Sequence, residues 1–457
     1  MTLFVSGDPR PVHFMGIGGA GMAALALVAR HRGVAISGCD TDPSGAGDLA
    51  ALGVEVRAGH DPAHLAGARA LVVTAAVPAG HAEVERARSL GIPVVRRADA
   101  LGGVVAGGTV VAVAGTHGKT TTTVLATEAF AAAGRNPTGI AGGRVAQWGG
   151  NARIGGTELF VVEADEYDKA FLSLQPTVAV INNVEADHLE CYGSLEALED
   201  AFRQFAGPAR RVIVGDDPGA ARVAASLGAA VWRVAEGHKA DVRIEQVVLD
   251  AHGSRARLAL PGGVTVDVRL ALLGMHNLRN AAAALAALHA CGADVQRGAD
   301  ALSGFTGVAR RFQRVGEAGG VAVVDDYAHH PTEVRATLAA ARQAYPQRRL
   351  VAVFQPHLYS RTALHGAALG EALAGADLAV VAPIYGAREK PEPGVTSALV
   401  ERAAARAGVR TVAVDDRAAL TERVAQVVQP GDVVFTLGAG DVTRVGPELL
   451  ARLGRPK

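Results

Sequence analysis

Lysine is nearly missing from this chain: five of its 45 basic residues, at positions 119, 169, 239, 390 and 457, against forty arginines. Aromatic residues make up only 4% of 457, so the cores must be aliphatic, and abundant Ala and Gly point to close packing of helices on sheets. There are three cysteines, Cys39, Cys191 and Cys291. That odd number, with no Cys-x-x-Cys pair, speaks against a disulfide framework or a zinc site. The formal net charge is zero, and no basic block or aromatic-basic interleaving occurs, so no nucleic-acid partner is expected. Long hydrophobic runs are absent too. The longest apolar stretch, from Gly102 to Gly115, is short and glycine-rich, and the N-terminus lacks a charged region followed by an apolar core. The expectation is a protein without signal peptide or membrane span, working in a reducing cytoplasm.

Against that background the segment GTHGKTTTT, residues 115 to 123, stands out. It follows the apolar run Val110 to Ala114 and precedes a helical pattern, so it reads as strand, glycine loop and helix. Gly115 and Gly118 let backbone amides close on phosphates, with Thr116, His117 and Thr121 in the same turn. Lys119 can reach the outer phosphates, and Thr120 offers a hydroxyl to Mg²⁺ at a helix N-terminus. An ATP site is expected. The loop is shorter than GxxxxGK[ST], because Val113 stands where that pattern needs glycine.

The length fits about three domains. Residues 1–107 open with the strand Val12 to Met15, then GIGGAGM at 16 to 22, a helix to about Arg30, and a second strand ending at Asp40. This is the spacing at which a dinucleotide fold places its ribose-binding acid, and the segment reads as Rossmann-like. Gly102, Gly103, Gly107 and Gly108 suggest a linker. Residues 108–316 form a central domain with a P-loop ATPase-type mixed sheet, and residues 317–457 alternate strand and helix in a second Rossmann-like pattern. The fold class is therefore α/β in three domains.

Ligands of open parallel sheets lie beyond the carboxyl ends of strands. Glu163, Asp165, Asp187, His188, Asp325, Asp326, His329, Gln355 and His357 all read as lying just past apolar runs, so three ligand-facing edges converging on one cleft are expected. Glu163 and His188 are candidates for metal binding beside Thr120. A surface carboxylate competes for Glu163, and a structural or outer role competes for His188, since Mg²⁺ favours oxygen ligands. Asn277 and Asn280 share one helical face and read either as readers of an adenine edge or as caps. Arg310 and Arg311 read as a phosphate fork or a linker salt bridge. Tyr327, His329, His330, His357 and Arg361 suit a small zwitterion or carboxylate.

Taken in order, GIGGAGM (16 to 22), GTHGKTTTT (115 to 123), EADEYD (163 to 168), NNVEADHLECYG (182 to 193), HNLRNAAAA (276 to 284), RRF (310 to 312), DDYAHHPTEV (325 to 334) and FQPHLYSRT (354 to 362) make the chain resemble the Mur ligases of peptidoglycan assembly over essentially its whole length. The resemblance implies that the first domain binds the UDP end of a sugar nucleotide, the second ATP, and the third an amino acid. Its alanine-adding branch implies UDP-N-acetylmuramate and L-alanine as small-molecule partners, ATP and Mg²⁺ as cofactors, and a monomer or homodimer. By that analogy Lys119, Glu163 and His188 are catalytic, with Thr120, Glu163 and His188 on the metal. Gly115, Thr116, His117, Gly118, Lys119, Thr120, Thr121, Asn277, Asn280, Arg311 and Asp326 surround ATP. Gly16, Gly18, Gly19, Gly21, Ser37 and Asp40 line the UDP site, and Tyr327, His329, His357 and Arg361 lie near the amino acid.

Two departures stand out. Val73 to Val77 reads VTAAV where a serine pair is associated with this loop, and no lysine lies between Lys169 and Lys239 to serve as a carboxylated metal support. Competing readings are a ligase adding a recycled tripeptide to the same sugar nucleotide, a folate-type polyglutamate ligase, a nicotinamide dehydrogenase and a non-catalytic nucleotide-binding regulator.

Overall fold

The structure, a computed structural model, describes residues 3–454 apart from Ala79, Ala229 and Arg388. Its central parallel strands are short runs, mostly of Val, Ala, Leu and Ile, with both faces covered, the composition that parallel sheets demand. By contrast, Val242–Asp250, Gly253–Leu260 and Val264–Leu270 mix buried with exposed residues. Three sheets result. The first has five strands, of which Val12–Met15 lies between Ile36–Asp40 and Ala70–Val73, all parallel. The second has ten strands and is mixed, with Thr109–Ala114 between the parallel neighbours Val178–Ile181 and Leu159–Glu163. Its edge pair Thr138–Val145 and Gly150–Arg153 is antiparallel. The third has six strands, parallel except for Gln313–Ala318, which pairs antiparallel with Val321–Asp326.

The chain divides into two compact units: Met1–Val247 with Ala256–Arg269 and Leu278–Phe305, and Val248–Arg255 with Leu270–Asn277 and Thr306–Lys457. In the first unit the five-stranded sheet and the ten-stranded sheet share one apolar cluster that runs from Val12 and Phe14 through Ala112 and Phe160 to Val223. The helix Ala20–His31 lies in that cluster through Met22, Leu25 and Val28. Polar ties reinforce it: Arg144 makes a forked pair with Asp48 at 2.5 and 2.8 Å, and Arg32 donates to the Val104 carbonyl at 2.7 Å.

Two expectations need correction. The supposed linker is in part the helix Arg97–Val105, which contains Gly102 and Gly103. Gly102 is there for close approach, because a Cβ would meet the Ser173 carbonyl oxygen at 2.5 Å. The strand Gln313–Ala318 straddles the expected 316/317 boundary, and its ladder with Val321–Asp326 carries it into the third sheet. As expected, Glu163 and the pair Asp325 and Asp326 directly follow apolar runs, and they close their strands.

Candidate functional site

The phosphate loop owes its place to sheet register. Ala114 pairs with Ile181 and Val113 with Glu163, so Gly115, Asn182 and Glu163 emerge side by side at one sheet edge. The helix Lys119–Ala132 begins immediately after the loop. Thr120 to Thr123 and Thr127 are all buried in it. β-Branched threonines are mediocre helix formers, so this helix is held by packing and not by propensity. Gly118 sits at φ +77°, and a Cβ there would lie 2.5 Å from Asn280 Oδ1. Only glycine satisfies both constraints.

A strap missed in the sequence holds the loop from below. Thr116 N–H donates to the Asn183 carbonyl at 3.0 Å. His117 N–H donates to Asn183 Oδ1 at 2.7 Å, and its Nε2 lies 2.9 Å from Glu185 Oε2. Thr116 Oγ1 accepts from Glu185 N at 2.9 Å. The motif NNVE was visible, but nothing in one dimension says that its amide side chains bond the loop backbone.

Lys119 Nζ donates to the Gly115 carbonyl at 2.7 Å and to Glu166 Oε1 at 2.7 Å. Glu166 is 2% exposed. Its Oε2 is buried with no hydrogen-bond partner. Burial opposes the ammonium charge of Lys119, but Glu166, Asp165 and Glu163 outweigh it and hold the lysine protonated above its usual range. Glu166 was passed over among four crowded acids. Its burial distinguishes it, and burial is a tertiary property.

Thr120 Oγ1 donates to Glu163 Oε1 at 3.1 Å, while Gly142 N–H donates to Glu163 Oε2 at 2.6 Å. The structure thus brings together a hydroxyl and a carboxylate at a helix N-terminus, an oxygen donor pair of the kind Mg²⁺ takes. His188 is placed differently. It adopts φ +55°, a costly conformation for a side-chain-bearing residue, at the start of the short helix Leu189–Tyr192. Its Nε2 lies 3.7 Å from Asp187 Oδ2, its Nδ1 3.6 Å from Glu190 Oε1, and its ring meets Tyr167 edge-on at 5.1 Å. Asn280 stands over the loop, whereas Asn277 Nδ2 donates back to the Leu273 carbonyl at 2.8 Å. Thr121 is buried in the helix.

In the N-terminal sheet, Asp40 Oδ2 accepts from Gly18 N at 2.9 Å, which closes the turn through Gly16 and Gly19 onto the next strand. Gly19 caps the helix that carries Gly21. Beside Gly21 lies the guanidinium of Arg97, which also reaches Asp165 at 3.5 Å. Arg97 was also missed, its only signal being a basic pair after a strand. Ser37 is not in this turn: its Oγ lies 2.9 Å from His13 Nδ1, three residues before Asp40 in the body of the strand.

The second unit gathers the remaining candidates around its own strand ends. Asp326 accepts from Phe312 N at 2.7 Å and Ala328 N at 2.8 Å. Burial outweighs these bonds and the nearby Arg311, pushing its carboxyl up to about 6. Arg310 and Arg311 both stack on Tyr327, at 4.9 and 5.3 Å from its ring centre. His329 Nδ1 lies 2.9 Å from the Tyr327 carbonyl, so that nitrogen carries the proton. Arg361 Nη1 lies 3.1 Å from His357 Nδ1. An arginine can only donate, so the neutral His357 ring carries its proton on Nε2. The two imidazole centres are 6.1 Å apart, and Tyr385 stacks on His357 at 5.8 Å. These residues can offer opposite hydrogen-bonding faces to one small polar ligand.

A short glycine loop on a mixed sheet, a glycine turn on a five-stranded parallel sheet and a Rossmann-like third sheet make this a three-domain α/β protein, and its similarity to known proteins makes it a ligase. The chain belongs to the Mur ligase family. It matches the Mur ligase family catalytic domain over residues 11–109, the Mur ligase middle domain over 113–288 and the Mur ligase glutamate ligase domain over 310–440. It is 44% identical to the UDP-N-acetylmuramate--L-alanine ligase of Thermobifida fusca, covering 97% of this chain and 96% of that one. With the protein of the same name from Cutibacterium acnes it shares 45%, at the same coverage. Among solved structures it resembles the UDP-N-acetylmuramate-alanine ligase of Thermotoga maritima, with a TM-score of 0.82 and 26% identity over 97% of this chain and 98% of that one. The murein peptide ligase of Psychrobacter arcticus follows at a TM-score of 0.74 and 25% identity, over 98% and 99% of the two chains.

Proposed function

We propose that this chain joins L-alanine to the lactyl carboxylate of UDP-N-acetylmuramate at the expense of ATP, giving ADP and phosphate, in peptidoglycan precursor synthesis. The observation that carries the reading is full-length identity of 44–45% to ligases of that name, joined to a phosphate loop whose lysine is held in place by a buried carboxylate. A carboxylate oxygen of the sugar nucleotide attacks the γ-phosphorus of ATP, the bond to the bridging oxygen breaks, and ADP leaves. The amine of L-alanine then attacks the acyl carbon, phosphate departs with the oxygen that came from the carboxylate, and the amine gives up a proton.

In this reading the backbone amides of Gly115 to Thr120 hold the phosphates at the helix N-terminus. Lys119 offsets charge on the phosphoryl group in transfer, and Glu166 fixes where Lys119 points, so positioning and electrostatics supply most of the catalysis. Thr120 and Glu163 are the residues that would hold Mg²⁺, with His188 as an outer candidate. When bound, the ion would neutralise phosphate charge. Gly16, Gly18, Gly19, Gly21 and Asp40 would receive the UDP end, with Arg97 beside them. Tyr327, His329, His357 and Arg361 would receive the amino acid, and Asn277, Asn280, Arg311 and Asp326 would border ATP. Among the described residues no helix is long and apolar enough to cross a membrane. In this reading the enzyme is cytoplasmic and acts as a monomer or homodimer.

Phosphate release with ATP, Mg²⁺ and UDP-N-acetylmuramate, compared between L-alanine and the stem tripeptide as acceptor, tests the reading. Release that requires L-alanine supports it. Release with the tripeptide alone would assign the chain to the recycling ligases instead.

A further inference from the structure

One face of the N-terminal sheet carries a group of side chains that the nucleotide chemistry does not use. Cys39 on that face clusters with Leu65 of the turn Pro62–Leu65 and with Val84 and Ala87 of the helix Ala82–Ser89. His13 places Nε2 3.3 Å from Cys39 Sγ on the neighbouring strand. Cys39 Sγ lies 3.4 Å from Glu83 Oε1, and His64 Nδ1 lies 3.2 Å from the same oxygen. One ligand atom from each of the four falls within 4.8 Å of every other. His13 is 1% exposed, and Cys39 and Glu83 not at all.

Hydrogen bonding accounts for part of this arrangement but leaves His64 out. Cys39 Sγ has His13, Glu83 and also His60, at 3.2 Å, around it; its one proton can go to Glu83 while the sulfur accepts from both imidazoles. His64 Nδ1 is buried and makes no hydrogen bond despite its nearness to the carboxylate. A carboxylate with no exposure is costly unless its charge is compensated. Tetrahedral zinc with bonds of about 2.0–2.3 Å sets its ligands roughly 3.5 Å apart, and the observed separations of 3.2, 3.3 and 3.4 Å are of that size. A thiolate, a carboxylate and two neutral imidazoles would balance the charge of one divalent ion. Outer bonds also orient the donors: Ser37 Oγ, 2.9 Å from His13 Nδ1, aims Nε2 at Cys39, and Asp61 N–H donates to Glu83 Oε1 at 2.9 Å. Such outer partners are what metal-ligating side chains require.

We propose that His13, Cys39, His64 and Glu83 form a structural zinc site in the N-terminal domain. Cysteine spacing in the sequence spoke against zinc because the donors are scattered from residue 13 to residue 83, each on a different element, and only the fold assembles them. The site would stiffen the nucleotide turn as well. The Cys39 carbonyl accepts from Gly16 N and Ile17 N at 2.8 and 3.1 Å, so fixing Cys39 fixes the start of that turn.

The test is cobalt substitution in the full-length chain. Protein stripped with a chelator is titrated with Co²⁺ alone, then with Zn²⁺, while thiolate-to-cobalt and tetrahedral ligand-field absorption are recorded. An ion bound at the oxygen donors Thr120 and Glu163 gives no thiolate band, so the two locations are distinguished. The expected result is one thiolate-coordinated Co²⁺ per chain, bleached by Zn²⁺, retained in a Cys191→Ser/Cys291→Ser double variant and lost in Cys39→Ser. A folded wild-type chain without the thiolate band overturns the proposal, whether or not Cys39→Ser folds. So does a band that disappears in the Cys191→Ser/Cys291→Ser variant or survives Cys39→Ser.

Discussion

Lys119 Nζ lies 2.7 Å from Glu166 Oε1, and the carboxylate it meets is almost completely removed from solvent. Neither partner is easily kept without the other. Removing one side of a buried pair leaves an uncompensated charge and costs about 3–5 kcal/mol. Lys119→Met should therefore lose both ligase activity and stability. Glu166→Gln in the same chain should restore melting but not turnover. Equal melting temperatures for Lys119→Met and the wild type would show that the pair carries no folding energy.

Gly118→Ala tests the loop geometry. The substitution forces a Cβ into a left-handed residue, costing about 1–2 kcal/mol, and against the Asn280 amide 2.5 Å away. ATP affinity measured by calorimetry should fall at least about tenfold, the equivalent of roughly 1.4 kcal/mol. An unchanged affinity would mean that the loop does not hold the phosphates.

Thr120→Val keeps shape but removes the hydroxyl that meets Glu163. The expected outcome is a higher Mg²⁺ concentration for half-maximal activity, with the fold intact by circular dichroism. An unaltered Mg²⁺ dependence would remove Thr120 from the metal site.

Arg361→Lys tests the third domain. Lysine keeps the charge but lacks the planar fork that meets His357 at 3.1 Å. The KM for L-alanine should rise about tenfold or more while the KM for ATP stays within a factor of two. That tenfold is roughly 1.4 kcal/mol of lost binding.

Asp326 predicts a pH effect with a definite sign. Its carboxyl is raised from 3.8 to about 6, chiefly by burial, so between those values the native chain binds more protons than the unfolded chain. Stability then falls as pH rises from about 4 to about 6. Asp326→Asn should show lower stability overall, through loss of one acceptor, but without that decline. Denaturant titrations across the window read the difference directly.

The sequence disclosed what is local. Strand and helix alternation, the loop at 115 to 121 and the turn at 16 to 21 all depend on neighbours a few residues apart, and each lies where the patterns place it. What escaped depends on separations that only folding closes. Glu166 is one acid among four until burial and Lys119 single it out. Asn183 and Glu185 strap a loop nearly seventy residues upstream. Gly102 and Gly103 looked like a linker because glycine usually breaks helices, yet Gly102 is required where a helix meets the Ser173 carbonyl. Ser37 meets His13 on the neighbouring strand, a contact that pattern along the chain does not disclose.

The most direct test of the acyl-phosphate route is isotopic. UDP-N-acetylmuramate with ¹⁸O in its lactyl carboxylate is turned over with ATP, Mg²⁺ and L-alanine, and the released phosphate is analysed by mass. If a carboxylate oxygen attacks phosphorus and leaves with it, each phosphate formed with the amide carries one ¹⁸O. Unlabelled phosphate accompanying amide formation would contradict the mechanism.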